Sequence, residues 1–238
     1  MAKKKVTRKQ LLDTQDEFIT YSQKALSFVI THSNHFFIGL IAVMALALAI
    51  MGVKYYFDRQ AREALVAYDR ALGQVARIQN LTDEENKQEI EAAIQALEYI
   101  RNAFSRSTPG RFVRLDLGAL YFHLKRYDQA KDSYQTFLKD LKPEEDYLKP
   151  LILDSLAYIN EAEKDLEKAA ARWEEVTKLT DEFLKEEAFF NLGRIYEAQN
   201  NKEKAIETYE KLMADYPDSS NIARVKAKLA GLSKGKSE

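Results

Sequence analysis

FFNLGRIYEAQNNKEKAIETYEKLMADYP, residues 189–217, decides the fold. Its landmarks are Phe189, Leu192, Gly193 and Tyr196, then Ala205 and Tyr209, then Pro217. The first four recur at the spacing of one helix face, and Ala205 and Tyr209 do the same one helix later. The small residues explain the pairing: Gly193 on the first helix and Ala205 on the second let the two approach closely, while the aromatics fill the gaps between pairs.

The same register appears upstream. Leu117, Gly118, Tyr121, Ala130, Tyr134 and Pro143 repeat it with the proline displaced by one residue, and a weaker copy between them uses Leu156, Ala157, Ala169 and Trp173, with Asn160 in the tyrosine position. The three alanines are 39 and then 36 residues apart by their numbering, longer than the repeat of about 34 residues that such helix pairs favour, so longer turns are expected. Lys142-Pro143-Glu144-Glu145-Asp146 reads as one such loop. Residues 55–106 read as a degenerate first pair, with one helix over Ala61–Ile78, a second opening at Asp83-Glu84-Glu85, and Ser107-Thr108-Pro109-Gly110 ending it. A last helix capped by Asp218 or Ser219 and running to Leu232, with Ile222, Val225 and Leu229 inward, closes the array.

Composition agrees with an all-α chain. Of 238 residues 46% are apolar, yet only 8 are Gly and 4 Pro, too few for the turns of a β fold. Cysteine is absent, which removes disulfides, thiolate metal sites and cysteine nucleophiles. Residues 1–35 carry Lys3, Lys4, Lys5, Arg8, Lys9 and Lys24 against Asp13, Asp16 and Glu17, a net +3. Subtracting these from the totals of 36 basic and 37 acidic residues leaves 30 against 34 over residues 36–238, a net −4. A domain of that charge is no nucleic-acid binder.

Phe36–Val53, FFIGLIAVMALALAIMGV, is an eighteen-residue run with no charged side chain. At ~1.5 Å per residue it makes roughly 27 Å of helix, close to the ~30 Å of bilayer hydrocarbon. Phe36 and Phe37 open it, and Tyr55, Tyr56 and Phe57 follow it, the two tyrosines at the position of an interfacial aromatic belt. A buried globular helix and a cleaved signal peptide are the rival readings. The 35 residues before the run and the continuing Ile50-Met51-Gly52-Val53 favour an uncleaved anchor. The net basic tail then stays in the cytoplasm. Residues 10–31 form an amphipathic helix, either lying on the membrane surface or lengthening the anchor. Ala42, Ala45, Ala49 and Gly52 share one helix face and form a candidate contact stripe. The expected organisation is a basic tail at 1–35, an anchor at 36–57, the repeat domain at 58–232 and a disordered tail at 233–238.

With these landmarks the chain resembles the tetratricopeptide-repeat-like membrane protein family that includes the ancillary SecYEG translocon subunit. The resemblance covers nearly the whole chain: a single anchor running into Tyr55-Tyr56, the Gln60-Ala61 to Tyr68 segment, the repeats, and Tyr216-Pro217-Asp218-Ser219. It implies a single-pass protein of the bacterial inner membrane, N-terminus cytoplasmic and repeats periplasmic. It also implies a groove lined by the first helix of each pair. The inward positions are Phe112, Leu115, Ala119, Phe122 and His123 in the first repeat, Leu151, Asp154, Tyr158, Glu161 and Ala162 in the second, and Glu187, Phe190, Arg194, Glu197 and Ala198 in the third. This surface is apolar near the membrane and acidic beyond. It suits unfolded or exposed apolar segments, unless the first helix pair covers Phe112 and Phe122 as core. Leu115, Ala119, Asp154 and Glu187 stand where a carboxylate clamp would need basic residues, so a free C-terminus is not the expected ligand.

No catalytic constellation is legible. His32 and His35 lie at the edge of the anchor with no third ligand, His123 stands alone, and no glycine cluster forms a phosphate loop. The expected protein needs no cofactor or metal. It is a non-catalytic scaffold binding other proteins or peptides, possible partners including the translocon, with the bilayer holding its one helix. The alternative is an assembly subunit or self-associating scaffold of an envelope complex. An import receptor of an organelle outer membrane shares the topology.

Overall fold

The computed structural model describes residues 20, 21, 23–78, 83–179 and 184–234. Their ordered elements are helices: α1 (Ser33–Ile78), α2 (Asp83–Ala103), α3 (Thr108–His123), α4 (Tyr127–Lys139), a 3₁₀ helix (Pro143–Leu148), α5 (Lys149–Ala162), α6 (Leu166–Lys178), α7 (Lys185–Ala198), α8 (Lys202–Asp215) and α9 (Ile222–Lys234). No strand occurs among the described residues. The chain divides into two compact units, residues 1–59 and 60–238.

In the first unit, residues 23–31 are helical and α1 begins at Ser33. The basic tail and most of the expected amphipathic segment lie outside the described residues, and Leu26, Phe28, Val29 and Ile30 are exposed. α1 is long and apolar enough to cross a membrane, and none of its most apolar stretch is buried. Ile38, Val43, Leu46 and Met51 all point outward, which in water would be costly.

The second unit is a solenoid of helix pairs. α3 pairs with α4, α5 with α6 and α7 with α8, and consecutive pairs stack through α4 on α5 and α6 on α7. The three turns inside the pairs are the same structure. Lys125, Lys164 and Asn200 sit in the left-handed region at φ 58°, 65° and 58°, and the next residue, Arg126, Asp165 or Asn201, donates its N–H at 2.8 Å to the carbonyl of Tyr121, Asn160 or Tyr196. Asp165 and Asn201 then cap α6 and α8 by accepting from the N–H of Lys168 and Lys204. Asn160, the odd residue of the tyrosine position, is buried in the second pair.

Two apolar cores run through this unit. The first gathers α2, α3 and α4 with Ala71 of α1; the second gathers α6, α7 and α8 with Val225 of α9. Helix α5 serves both, sending Ile152, Leu156 and Ile159 into the first and Leu153 and Ala157 into the second. This is why LILDSLAYI is apolar on more than one face.

Two expectations need correction. Ser107-Thr108-Pro109-Gly110 does not close the helix before it: α2 ends at Ala103, and Ser107 caps α3, its Oγ accepting from the Gly110 N–H at 3.1 Å with Pro109 in the first turn. Nor is the 142–146 stretch a plain loop. Pro143–Leu148 forms a 3₁₀ helix, and buried Glu145 takes a 2.6 Å ion pair from Arg111 of α3. The 3₁₀ helix holds the extra residues of the first long spacing. The final helix has Val225 buried and Ile222 and Leu229 half-buried as expected and runs on to Lys234, but it begins at Ile222 directly after Asn221, and Ser219, one of the two expected caps, accepts instead from the Asn221 N–H at 3.0 Å ahead of the helix. Residues 55–78 and 83–103 are helical too, but among the described residues α1 and α2 approach each other only sparsely. α1 is held instead by Ala67, Tyr68, Ala71 and Val75 on the first core.

Candidate functional site: the face of the first helices

The expected groove residues lie on α3, α5 and α7, the first helix of each pair. Along α3, Phe112 packs edge-on against Phe137 with centroids 5.2 Å apart, and Phe122 stacks on Tyr127 at 5.8 Å. Both rings and Leu115 are half-buried against the first core, while Ala119 and His123 are exposed. Leu151 at the start of α5 remains 43% exposed. This end of the face is therefore apolar and partly open.

The structure joins the second and third repeats through polar side chains. Tyr158 accepts from the Asn191 amide at 2.7 Å, and Arg194 forks onto Glu161, one arm at 2.7 Å. Arg194 also lies 6.0 Å over the ring of Trp173. Farther on, the same pattern recurs toward α9. Lys228 reaches Glu197 at 2.8 Å, which also accepts from the Tyr209 hydroxyl, and the Asn221 amide donates to Glu187 at 3.3 Å. Arg224 lies 4.2 Å over Phe190, itself only 2% exposed. Ala162 and Ala198 close their helices in exposed positions. Glu187, Phe190, Arg194 and Glu197 of the third repeat thus already have partners within the chain.

Sequence reading omitted residues that belong to this face. Asp116 follows Leu115 as Asn191 follows Phe190 two repeats later, and accepts from the Tyr68 hydroxyl at 2.7 Å. Trp173, placed in the core by the repeat pattern, is fully buried yet donates its Nε1–H to Asp154 at 2.8 Å. The register itself holds the missing signal: Asp116 stands directly after an inward position, Leu115, as Asn191 stands directly after Phe190.

Electrostatics single out two groups. Burial raises the pKa of Asp116 and of Asp154 above the ordinary aspartate value, partly offset by the Tyr68 and Trp173 hydrogen bonds; the charge of Glu187 adds to the rise at Asp154. Both carboxylates also act on Tyr134, whose hydroxyl pKa is raised chiefly by burial. Because the folded-state pKa of Asp154 exceeds its unfolded value of about 4, the native state binds more protons in that window and stability falls as pH rises through it. At neutral pH the cost is fully present. Asp154→Asn, whose Oδ1 still accepts from Trp173, is expected to raise the neutral-pH denaturant midpoint and flatten its fall as pH rises above the ordinary aspartate range; urea titrations at about pH 4 and at neutral pH test this.

No group of three metal-ligating side chains occurs among the described residues. On α1 the Ala42, Ala45, Ala49 and Gly52 face is exposed, and a Cβ added at Gly52 would meet nothing.

Comparison with known proteins agrees with this geometry. MamA matches with a TM-score of 0.54 at 18% identity, covering 76% of this chain and 84% of that one. PilF of Pseudomonas aeruginosa gives 0.53 at 17% identity, covering 74% and 70%. A putative kinesin light chain of Podosopora anserina with tetratricopeptide-like repeats gives 0.54 at 15% identity, covering 75% and 88%. Among curated proteins no sequence matches. At such identities the likeness establishes the fold, an all-α tetratricopeptide-type solenoid. The pattern of the tetratricopeptide repeat-like domain matches residues 27–234, which is most of the sequence, and the chain belongs to that family.

Proposed function

We propose that this protein is a non-catalytic scaffold, anchored in a membrane by α1, that holds another protein or peptide on the face of α3 and α5. The observation that carries the reading is the open apolar end of that face, where Ala119 of α3 and Leu151 of α5 are exposed and Leu115 and Phe122 of α3 are half-buried. An exposed apolar strip on a repeat surface is suited to binding. The third repeat contributes order more than contact, since Glu187, Phe190, Arg194 and Glu197 are engaged within the chain. His123, Asp154, Tyr158 and Glu161 border the strip.

In this reading the basic tail is cytoplasmic and the repeats face the periplasm of a bacterial inner membrane, following the charge asymmetry across the apolar run. There the scaffold assists secreted or membrane proteins near the translocon. A second reading, a self-associating or assembly subunit, draws on the small face Ala42, Ala45, Ala49 and Gly52, which allows close helix contact within the bilayer.

Photo-crosslinkers placed at Ala119 and Leu151 in cells, with Glu203 on α8 as control, test the proposal. Crosslinks to a protein at the first two positions and not the third are expected. The double variant Ala119→Arg/Leu151→Arg, both exposed sites, should lower co-purified partner by about tenfold, the scale of one lost interface anchor. Unchanged recovery with an intact unfolding midpoint would sink the site assignment. Crosslinks only between copies of the chain would favour the second reading.

A further inference from the structure

The polar pattern of the inner face changes along the chain. In the C-terminal half Glu161 of α5 meets Arg194 of α7, Glu197 of α7 meets Lys228 of α9, and Phe190 carries the Arg224 guanidinium, while Glu187 accepts only from the neutral amides of Asn191 and Asn221. Two aspartates nearer the N-terminus, Asp116 of α3 and Asp154 of α5, meet no such cation among the described residues. Asp116 and Asp154 receive hydrogen bonds from a phenol and an indole, both neutral. Among the described residues no positive group acts on either carboxylate. Both act on the hydroxyl of the buried Tyr134, Asp116 from α3 and Asp154 from α5. The apolar strip of Leu115, Ala119 and Leu151 lies on those two helices.

Half-buried carboxylates without a counter-charge are unfavourable. The chain removes that cost at Glu161 and Glu197 with its own Arg194 and Lys228, yet leaves it at Asp116 and Asp154. A metal ion is a poor match, because a hard cation such as Ca²⁺ needs six or more oxygen ligands, whereas these two carboxylates stand on separate helices with no third ligand among the described residues. An anionic or carboxylate-ended ligand would be repelled. What complements two unmatched negative charges beside an aliphatic strip is a segment that carries both kinds of side chain.

We infer that the face of α3 and α5 takes a cationic amphipathic segment of a partner protein, with a Lys or Arg side chain against Asp116 and Asp154 and apolar side chains on Leu115, Ala119 and Leu151. This rests on the reading of that face as the partner site, and it adds the chemistry of the partner. The long cationic side chains lay their methylene stems on the strip while their heads reach the carboxylates. The contact repeats from outside what Arg194 and Lys228 do within the chain.

The test uses the full chain in detergent micelles and a fluorescein-labelled amphipathic helix of Leu, Ala and Lys, with a twin in which every Lys is Gln. Anisotropy titrations at low salt are expected to show the Lys peptide bound about tenfold more tightly than its twin, the scale of one charge-assisted contact. That gap should shrink as salt is added. In the double variant Asp116→Asn/Asp154→Asn, which keeps acceptors for Tyr68 and Trp173, the two peptides should bind alike while the unfolding midpoint is no lower than that of the parent. Equal binding of both peptides to the parent protein, binding of neither, or a Lys preference that survives in the double variant overturns the inference. Crosslinks at Ala119 and Leu151 that persist in such a case leave the partner site standing and reject only its cationic specificity; loss of those crosslinks rejects both.

Discussion

Trp173→Ala is expected to lower the unfolding midpoint by roughly 10 °C, corresponding to a loss of about 3–5 kcal/mol for truncating a fully buried tryptophan in a domain of this size. Trp173 is 0% exposed and lies in the second core, edge-on to Tyr158 with centroids 5.2 Å apart. Its removal opens a cavity at the centre of the second helix pair. It also strips Asp154 of its hydrogen-bond donor and Arg194 of the ring below it, so the loss spreads onto the inner face. Solenoid stability is a sum of repeats and their interfaces, and the third pair should therefore loosen from the first as the second fails. Circular dichroism melts measure the midpoint, and hydrogen exchange tests the spread. Loss of protection confined to α5 and α6, with α7 and α8 as protected as in the parent, would contradict the coupling. Trp173→Phe, which keeps most of the volume but not the N–H, should fall between parent and alanine variant.

The helix pairs were legible because their packing rests on small residues at fixed spacing. Gly118 and Gly193, Ala130, Ala169 and Ala205 mark where helices touch, and the structure puts all five in buried positions. The weak middle repeat was readable only through its neighbours, since Asn160 replaces the tyrosine and still serves the same turn. Boundaries were less legible where one residue can play two parts. Ser107-Thr108-Pro109 can end one helix or open the next, and the hydrogen bond from Gly110 to Ser107 settles it. The 3₁₀ helix at 143–148 depends on Arg111, more than thirty positions away, and no local pattern announces such a partner. The inner face was legible as a register but not as a network. That Phe190 would be covered, and that Asp116 and Asp154 would stand without cations, follows from which side chains of α9, α1 and α6 arrive opposite them, a matter of tertiary placement.

Gly193→Ala is expected to destabilise the protein by about 1–3 kcal/mol, the range for forcing an extra methyl into a packed core, although alanine favours a helix over glycine by about 1 kcal/mol. A Cβ at Gly193 would stand 2.7 Å from Cδ1 and Cζ of Tyr209, a ring that is 0% exposed. The ring cannot step aside, because its hydroxyl is tied to Glu197 and Phe190 packs beside it at 6.3 Å. Gly118 meets Tyr134 in the same way in the first pair, at 2.7 Å from Cζ, so Gly118→Ala should carry a similar cost. The controls have the opposite sign. Gly73 on α1 and Gly231 on α9 have nothing within 4 Å of such a methyl, and alanine there should raise stability by up to about 1 kcal/mol. Close approach, and not helix propensity, then separates the two classes. A double-mutant cycle locates the contact: Tyr209→Leu removes the ring that the methyl strikes, so Gly193→Ala should be better tolerated in that background by about 1–2 kcal/mol. Chemical denaturation of the four variants of the cycle reads the coupling directly, and simple additivity would mean that the glycine is not there to admit the tyrosine.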